Sequence, residues 1–407
     1  MCGQPERNTT VSVTYTPYDY EIHHDPFPTY RRLRDEAPAY HNEAAGFWAL
    51  SRYDDVRDAF RDTQRFSSSH GVTLDPLATG PHAHKTMFFL AMDPPEHTQM
   101  RALVSRGFTP RRVVDLAPSI EALCAEHIDT MLQAAADGAP VDFITEFAGR
   151  VPMDVISEML GVPRSDRAEL RRLADLLVHR EEGVHDVPAS GIEAAFTLSD
   201  YYANMIAERR ANPTDDLTSA LCQAEIDGER LTDEHVRAAL FLFVVAGNET
   251  TTKLLGNAMY WLGQHPEQRA RVWSDASLVE PWIEETLRFD NSTQLLARLA
   301  TEDIELHGRV IPEGARVLLL IGAANRDERV FSRPDDYLPG RDTSKSLSFG
   351  VGRHFCLGAS LARLEAKIAL AMVRERVARF ELAGEPSRVH SVNVRGFAHL
   401  PLAITAA

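Results

Sequence analysis

The chain has 407 residues, is 44% hydrophobic and 25% charged, and carries 23 Gly and 23 Pro. This is an ordinary globular composition, and it excludes a disordered, collagen-like or disulfide-stapled chain. A formal net charge of −16 disfavours general binding to nucleic acid or to anionic membrane surfaces, both of which need clustered Lys and Arg.

The start, MCGQPERNTT, is polar and has no apolar signal core. No run of 18 uncharged apolar residues follows, so no membrane span and a cytoplasmic location are expected. Cys2, Cys124, Cys222 and Cys356 lie far apart. They form no CxxC pair and no Cys/His quartet, so a structural zinc site has no support, and free thiols suit a reducing compartment. There is no internal repeat and no Gly/Ser-rich linker. One large, mainly α domain over 1–407 is therefore expected.

Residues 1–30 read as irregular, with Pro17, Pro26 and Pro28 opposing regular structure. A short helix is expected over 30–36, then a small hairpin from 38–41 and 46–50. Ser51 or Asp54 would cap a helix ending near Phe60. The Gly-, Pro- and Ser-rich stretch 66–92 reads as a long loop, and a loop this long in a compact domain is usually functional. Helices are expected over 95–106, 114–135, 142–160, 166–180 and 190–211, with a loop at 180–190. After Thr232, a good N-cap followed by Asp233 and Glu234, the longest helical pattern runs about 33 residues to Gln264, roughly 50 Å at 1.5 Å per residue. His265-Pro266 stops it. Its middle, AALFLFVVAG, is apolar on all sides, which places it at the centre of the protein. A further helix is expected over 278–289. Ile304, Leu306 and Val310 flank His307-Gly308 as a hairpin, 316–321 reads as an apolar strand, and 331–348 as irregular.

Residues 349–358 read Phe-Gly-Val-Gly-Arg-His-Phe-Cys-Leu-Gly. Gly350, Gly352 and Gly358 allow a tight loop that holds one cysteine against a flat, bulky group. A helix beginning just after Cys356 would aim its N–H groups at the sulfur and favour a thiolate. Six fixed positions in this order should arise by chance on the order of once in a million chains this long. The decapeptide resembles the haem-binding loop of the cytochromes P-450, the haem-thiolate monooxygenases. By that resemblance Cys356 is the proximal ligand of haem b, and Phe349 and Gly350 belong to the cradle around the sulfur.

In the middle of the apolar helix stands Ala246-Gly247-Asn248-Glu249-Thr250-Thr251, an acid and two hydroxyls where burial makes them costly unless paired or functional. The motif is similar to the family's oxygen-binding groove. Carried over, Gly247 makes room for dioxygen, Thr250 donates a hydrogen bond to oxygen bound at the iron, and Glu249 relays protons from solvent. Thr251 is the packing hydroxyl. Glu285 and Arg288, three apart on a helix, and Pro334-x-x-Tyr337-x-x-x-Arg341, with Tyr where Phe is common, match the family's Glu-Arg-Arg triad that locks the cysteine side. His97 and Arg101, four apart, together with Arg298 and His354, match its contacts to the haem propionates.

The resemblance covers essentially the whole chain. It implies a single P-450 fold, a helical bundle around haem with small β-sheets, and insertion of one oxygen atom from O2 into an apolar small molecule by hydroxylation or epoxidation, in secondary metabolism or catabolism. Electrons would come ultimately from NAD(P)H through a separate ferredoxin and ferredoxin reductase, because the haem domain accounts for all 407 residues. Arg353, Arg106, Arg111 and Arg112 would face the ferredoxin. The substrate would meet the 66–92 loop with Met87, Phe88 and Phe89, the 176–190 loop, Leu242, Val245 and Ala246 on the long helix, the stretch 292–296 with Leu295, and the stretch 394–397 with Phe397. A peroxide-using haem enzyme and a non-catalytic haem-binding sensor are the alternatives. The Glu249-Thr250 pair counts against the first, and the second would need no proton relay.

Overall fold

The computed structural model describes residues 13–226 and 228–407. Cys2 and the polar start lie outside them. The helix Asp233–Gln264 is the axis of the molecule, and Thr232 caps it by accepting a hydrogen bond from His235 N at 3.2 Å. The helices Arg150–Leu160, Ala189–Ala211, Val279–Phe289 and Ala359–Arg376 pack on it. Two hydrophobic clusters divide along its length. The first half, with Val244, packs against Phe88, Phe89 and Tyr202, and the second, with Leu255, against Phe147, Trp282 and Leu370.

A five-stranded sheet flanks this helical body in the order Ala39–Asn42, Phe47–Leu50, Arg316–Leu320, Leu295–Ala300 and Phe66–Ser67. The expected hairpin forms its outer edge, with Ala39 paired to Leu50. A smaller sheet joins Val377–Leu382, Pro401–Ala406 and Val141–Asp142. Among the described residues no helix is long and apolar enough to cross a membrane.

Several expectations change. Residues 1–30 are not wholly irregular: Tyr20–His24 and the start of Phe27–Glu36 are helical. Pro28 sits in the first turn, where its missing N–H has no intrahelical partner to lose. Neither Ser51 nor Asp54 caps the helix Tyr53–Arg61. The carboxylate of Asp327 accepts from Tyr53 N at 2.9 Å instead, a partner distant in sequence. The 66–92 stretch carries the helix His84–Met87 and the 3-10 turn Phe88–Ala91. Pro266 ends the long helix and also begins another, Pro266–Ser274. The helix Leu217–Gln223 is too short for a periodic signature, and its cap, Asp216, is the visible sign of it.

Candidate active site

The cysteine loop packs against the end of the helix Tyr53–Arg61 and leads into the helix Ala359–Arg376. Gly350 and Gly352 take φ of +65° and +77°, a region L side chains rarely occupy. At Gly352 a Cβ would also come within 3.2 Å of the Phe60 carbonyl. Cys356 N donates to Phe349 O at 2.9 Å, which closes the loop before Ala359–Arg376 begins. The Arg363 guanidinium covers the Phe349 ring at 4.5 Å.

Cys356 faces a cavity with about 1370 Å³ of empty space, its open mouth included. The sulfur is exposed to that cavity yet lies deep beneath the molecular surface. Burial pushes its thiol up. The N–H groups of Gly358 and Ala359, with Arg101 and Arg363, oppose this without overcoming it. The helix start therefore favours the thiolate as expected but does not produce it alone. Coordination to a metal ion deprotonates such a thiol outright.

The structure brings the four expected propionate contacts together. The rings of His97 and His354 lie 4.1 Å apart, and Arg101 donates to Phe355 O at 2.6 Å. Arg298 is buried over the Phe60 ring, 5.4 Å from its centroid. Both nitrogens of His97, both of His354 and Nη2 of Arg298 are buried without a partner. Burial lowers His97 to about 4, His354 to about 2 and Arg298 to about 10, and the neighbouring arginines push both histidines down further. Unsatisfied donors this deep are costly unless something accepts from them. Two carboxylates of one ligand would satisfy them, so a haem with its propionates fits this donor set and its ring fits over Cys356.

The structure brings Glu285, Arg288 and Arg341 together. Glu285 and Arg288 are wholly buried and joined by two hydrogen bonds of 2.8 and 2.9 Å, and Arg341 donates to Glu285 at 3.0 Å. Tyr337 takes the Phe position without loss, because its hydroxyl reaches Thr286 Oγ1 at 2.7 Å. Sequence reasoning missed the link from here to the cysteine loop. Arg288 donates to Asn325 O, and the Asn325 carboxamide holds Leu347 N and Ser348 Oγ, both at 2.8 Å. One buried Asn has no sequence signature.

Opposite the loop, Gly247 and Thr250 line the cavity. A Cβ on Gly247 would meet Ile156 at 3.2 Å, so this glycine also admits the neighbouring helix. Thr250 Oγ1 donates to Ala246 O at 2.8 Å, and Ser292 Oγ donates to Thr250 O at 2.7 Å. Glu249 is not on the cavity wall. It is buried on another face of the helix, 3.2 Å from Lys253 Nζ. Thr251 is buried and touches the cavity edge.

Of the residues expected by name to meet the substrate, Phe89, Leu242 and Ala246 line the cavity. The other five sit elsewhere. Leu295 points to the far side of its strand, where it packs with Tyr15 and Tyr30, and its neighbour Leu296 faces the cavity, since strand side chains alternate. Phe397 packs against the Tyr260 ring, tilted by 44° with centroids 4.6 Å apart. Phe88 is fully buried beside Phe89, Met87 lies against Gly71, and Val245 is turned off the wall by helical geometry. Thr293, within the expected 292–296 stretch, is on the wall, and the structure adds Ile156, Phe243 and Ile321.

Residues 191–391 match the family model described as Cytochrome P450. A protein named Putative cytochrome P450 123, from Mycobacterium tuberculosis, is 54% identical over 406 residues, 99% of this chain and 98% of its own length. The vitamin D(3) 25-hydroxylase of Pseudonocardia autotrophica is 38% identical over 388 residues, 93% of each chain. Among solved structures, cytochrome P450 CYP109E1 from Bacillus megaterium in complex with testosterone superposes with a TM-score of 0.86 at 31% identity, covering 96% of this chain and 99% of that one. This likeness along nearly the full length, with a glycine-bounded cysteine at the floor of the cavity, shows that the chain belongs to the cytochrome P450 family, oxidoreductases that hold haem b by a cysteine thiolate and act as monooxygenases on O2 with electrons from NAD(P)H.

Proposed function

We propose that the chain inserts one oxygen atom from O2 into a neutral, apolar small molecule, receiving its electrons from a separate ferredoxin and ferredoxin reductase. The observation that carries the substrate class is the cavity wall. Its charged or titratable members, Arg101, His354, Cys356 and Glu365, all sit with the cysteine loop and its helix. The rest of the wall is apolar apart from small hydroxyls such as Thr250, Ser292 and Thr293. That remaining wall carries no cation to anchor a carboxylate, so a neutral polycycle or macrocycle fits better than a free fatty acid. The testosterone bound by the Bacillus megaterium protein and the vitamin D(3) named for the Pseudonocardia relative are of this kind.

Bound haem supplies the redox chemistry that activates O2. The chain's residues do the rest. Cys356 is the ligand, with Phe349 and Gly350 shaping the loop around it. His97, Arg101, Arg298 and His354 hold the propionates, and the Glu285, Arg288 and Arg341 cluster fixes the loop from beneath. Gly247, Ala246 and Leu242 shape the opposite wall and position the substrate. Thr250 holds a proton at Oγ1 on that wall, and Glu249, one residue away, replenishes it. The apolar lining excludes bulk water from this path.

Two measurements test the proposal. Cys356→Ala should abolish the carbonyl absorption band typical of thiolate-ligated ferrous haem, and an unchanged band would remove Cys356 as ligand. Titration with neutral steroids and macrolides should shift the haem absorption band at micromolar concentrations, with fatty acids far weaker. The reverse order would overturn the substrate class.

A further inference from the structure

Glu249 reaches no bulk water, although the role given to it requires a source of protons. Side chains four apart share a helix face. Glu249 and Lys253 do so here with only 2% of either side chain exposed, and Asn248 Nδ2 donates to Glu249 Oε1 at 3.2 Å. The helix Arg167–Val178 packs across this face and brings Asp175, whose carboxyl hydrogen-bonds to that of Glu249. Asp175 is only half-buried.

The remaining neighbours are few. Arg171, one turn before Asp175, is held toward Ile144 O at 3.3 Å. The C-terminal loop lies flush on Lys253, where a Cβ on Gly396 would come within 2.5 Å of the lysine stem. Arg395 of that loop is turned away to Asp290 at 2.8 Å. The cluster facing Glu249 is thus Asp175 and Arg171 from the packed helix and Lys253 from its own.

Two carboxyls in contact cannot both ionise cheaply. Burial and the Glu249 charge push Asp175 up to about 8. Lys253 and the hydrogen bond from Asp175 hold Glu249 down against its own burial. At neutral pH the pair therefore keeps one proton, on Asp175, the less buried of the two.

We propose that Asp175 is the outer proton donor of the active site, taking protons from solvent and passing them to Glu249 for delivery to the Thr250 side of the long helix. The inference rests on the acid–hydroxyl path described above. In the transfer the Asp175 O–H bond breaks as a Glu249 O–H bond forms, and Lys253 keeps its charge. The Asp175 carboxylate is then reprotonated from bulk water, so no electrons and no further reactant are needed. Asp175 touches neither substrate nor cofactor and is a positioning residue.

The test uses the haem-loaded enzyme in two ways. Infrared titration of the resting protein should show a protonated-carboxyl band lost with a midpoint near 8. Asp175→Asn should remove it, Thr250→Ala should keep it, and Glu249→Gln should move it to lower pH by deleting the neighbouring charge. In turnover with ferredoxin and reductase, Asp175→Asn should lower product per NADPH several-fold with matching peroxide release, Asp175→Glu should restore it, and substrate affinity should not change. No band between about pH 6.5 and 9.5 that depends on Asp175, or normal coupling in Asp175→Asn, would overturn the inference. If Glu249→Gln and Thr250→Ala also couple normally, the acid–hydroxyl path itself fails. If they uncouple while Asp175→Asn does not, only the role of Asp175 falls.

Discussion

Thr250 returns its hydroxyl proton to Ala246 O while standing at the cavity wall. Removing it deletes one hydrogen bond within an otherwise intact helix, worth about 1 kcal/mol. Thr250→Ala should therefore fold and bind haem normally while product per electron pair falls several-fold and peroxide rises. Unaltered coupling would exclude the hydroxyl from the proton path. At this scale the sequence was most informative where residue type alone sets the chemistry: a cysteine among glycines, an acid and a hydroxyl in an apolar helix. It was least informative on direction. Glu249 and Thr250 are adjacent, yet only Thr250 faces the cavity, because successive helical side chains point about 100° apart. Lys253, four residues after Glu249, was the legible sign that the acid had a buried partner of its own.

Between elements, buried charge does much of the joining. Asp290, at the end of the helix Val279–Phe289, accepts from Arg395 Nε at 2.8 Å and from Trp261 Nε1 at 2.9 Å, and Arg388 lies nearby. Arg395 in turn donates to the carbonyls of His23 and His24, so three distant segments meet at one carboxylate. Burial opposes its charge, but Arg395 and Arg388 hold Asp290 below the ordinary carboxylate range. A carboxyl whose folded pKa is depressed contributes stability above its unfolded pKa and loses it as pH falls through the folded value. Asp290→Asn should destabilise the fold by about 3–5 kcal/mol near neutral pH, because it strands two buried guanidinium groups. The deficit should shrink below about pH 4, as followed by denaturant unfolding, and a deficit constant with pH would contradict this account. None of these contacts was legible. The arginine contacts join residues roughly 100 or more apart and Trp261 lies 29 residues from Asp290, and no local pattern encodes such pairings.

The whole molecule presents its cysteine side to solvent through the helix Pro110–Asp115, which packs on Ala359–Arg376, and through the loop itself. Arg353, Arg106, Arg111 and Arg112 are all exposed there, with Phe355 and Val114 as exposed apolar groups among them. Cations around an aromatic suit docking of an acidic electron carrier despite the net charge of −16. Paired reversal, Arg112→Glu with Arg353→Glu, should raise the ferredoxin KM on the order of tenfold at low salt and flatten its dependence on ionic strength. Substrate-induced spectral shifts should stay as in the parent protein. An unchanged KM would place the docking face elsewhere.

By itself the sequence determined the helical axis, the cysteine loop and the residue types expected beside it, because helix periodicity, capping and a glycine-bounded cysteine are local properties of a chain. Tertiary structure alone decided which side of a strand or helix meets the cavity, so that Leu296 rather than Leu295 lines it. It also decided that Asn325 ties the triad to the loop and that Asp175 reaches Glu249. Those outcomes follow from how separate elements pack, and packing is set by shape and burial across the fold rather than by the neighbours of any one residue.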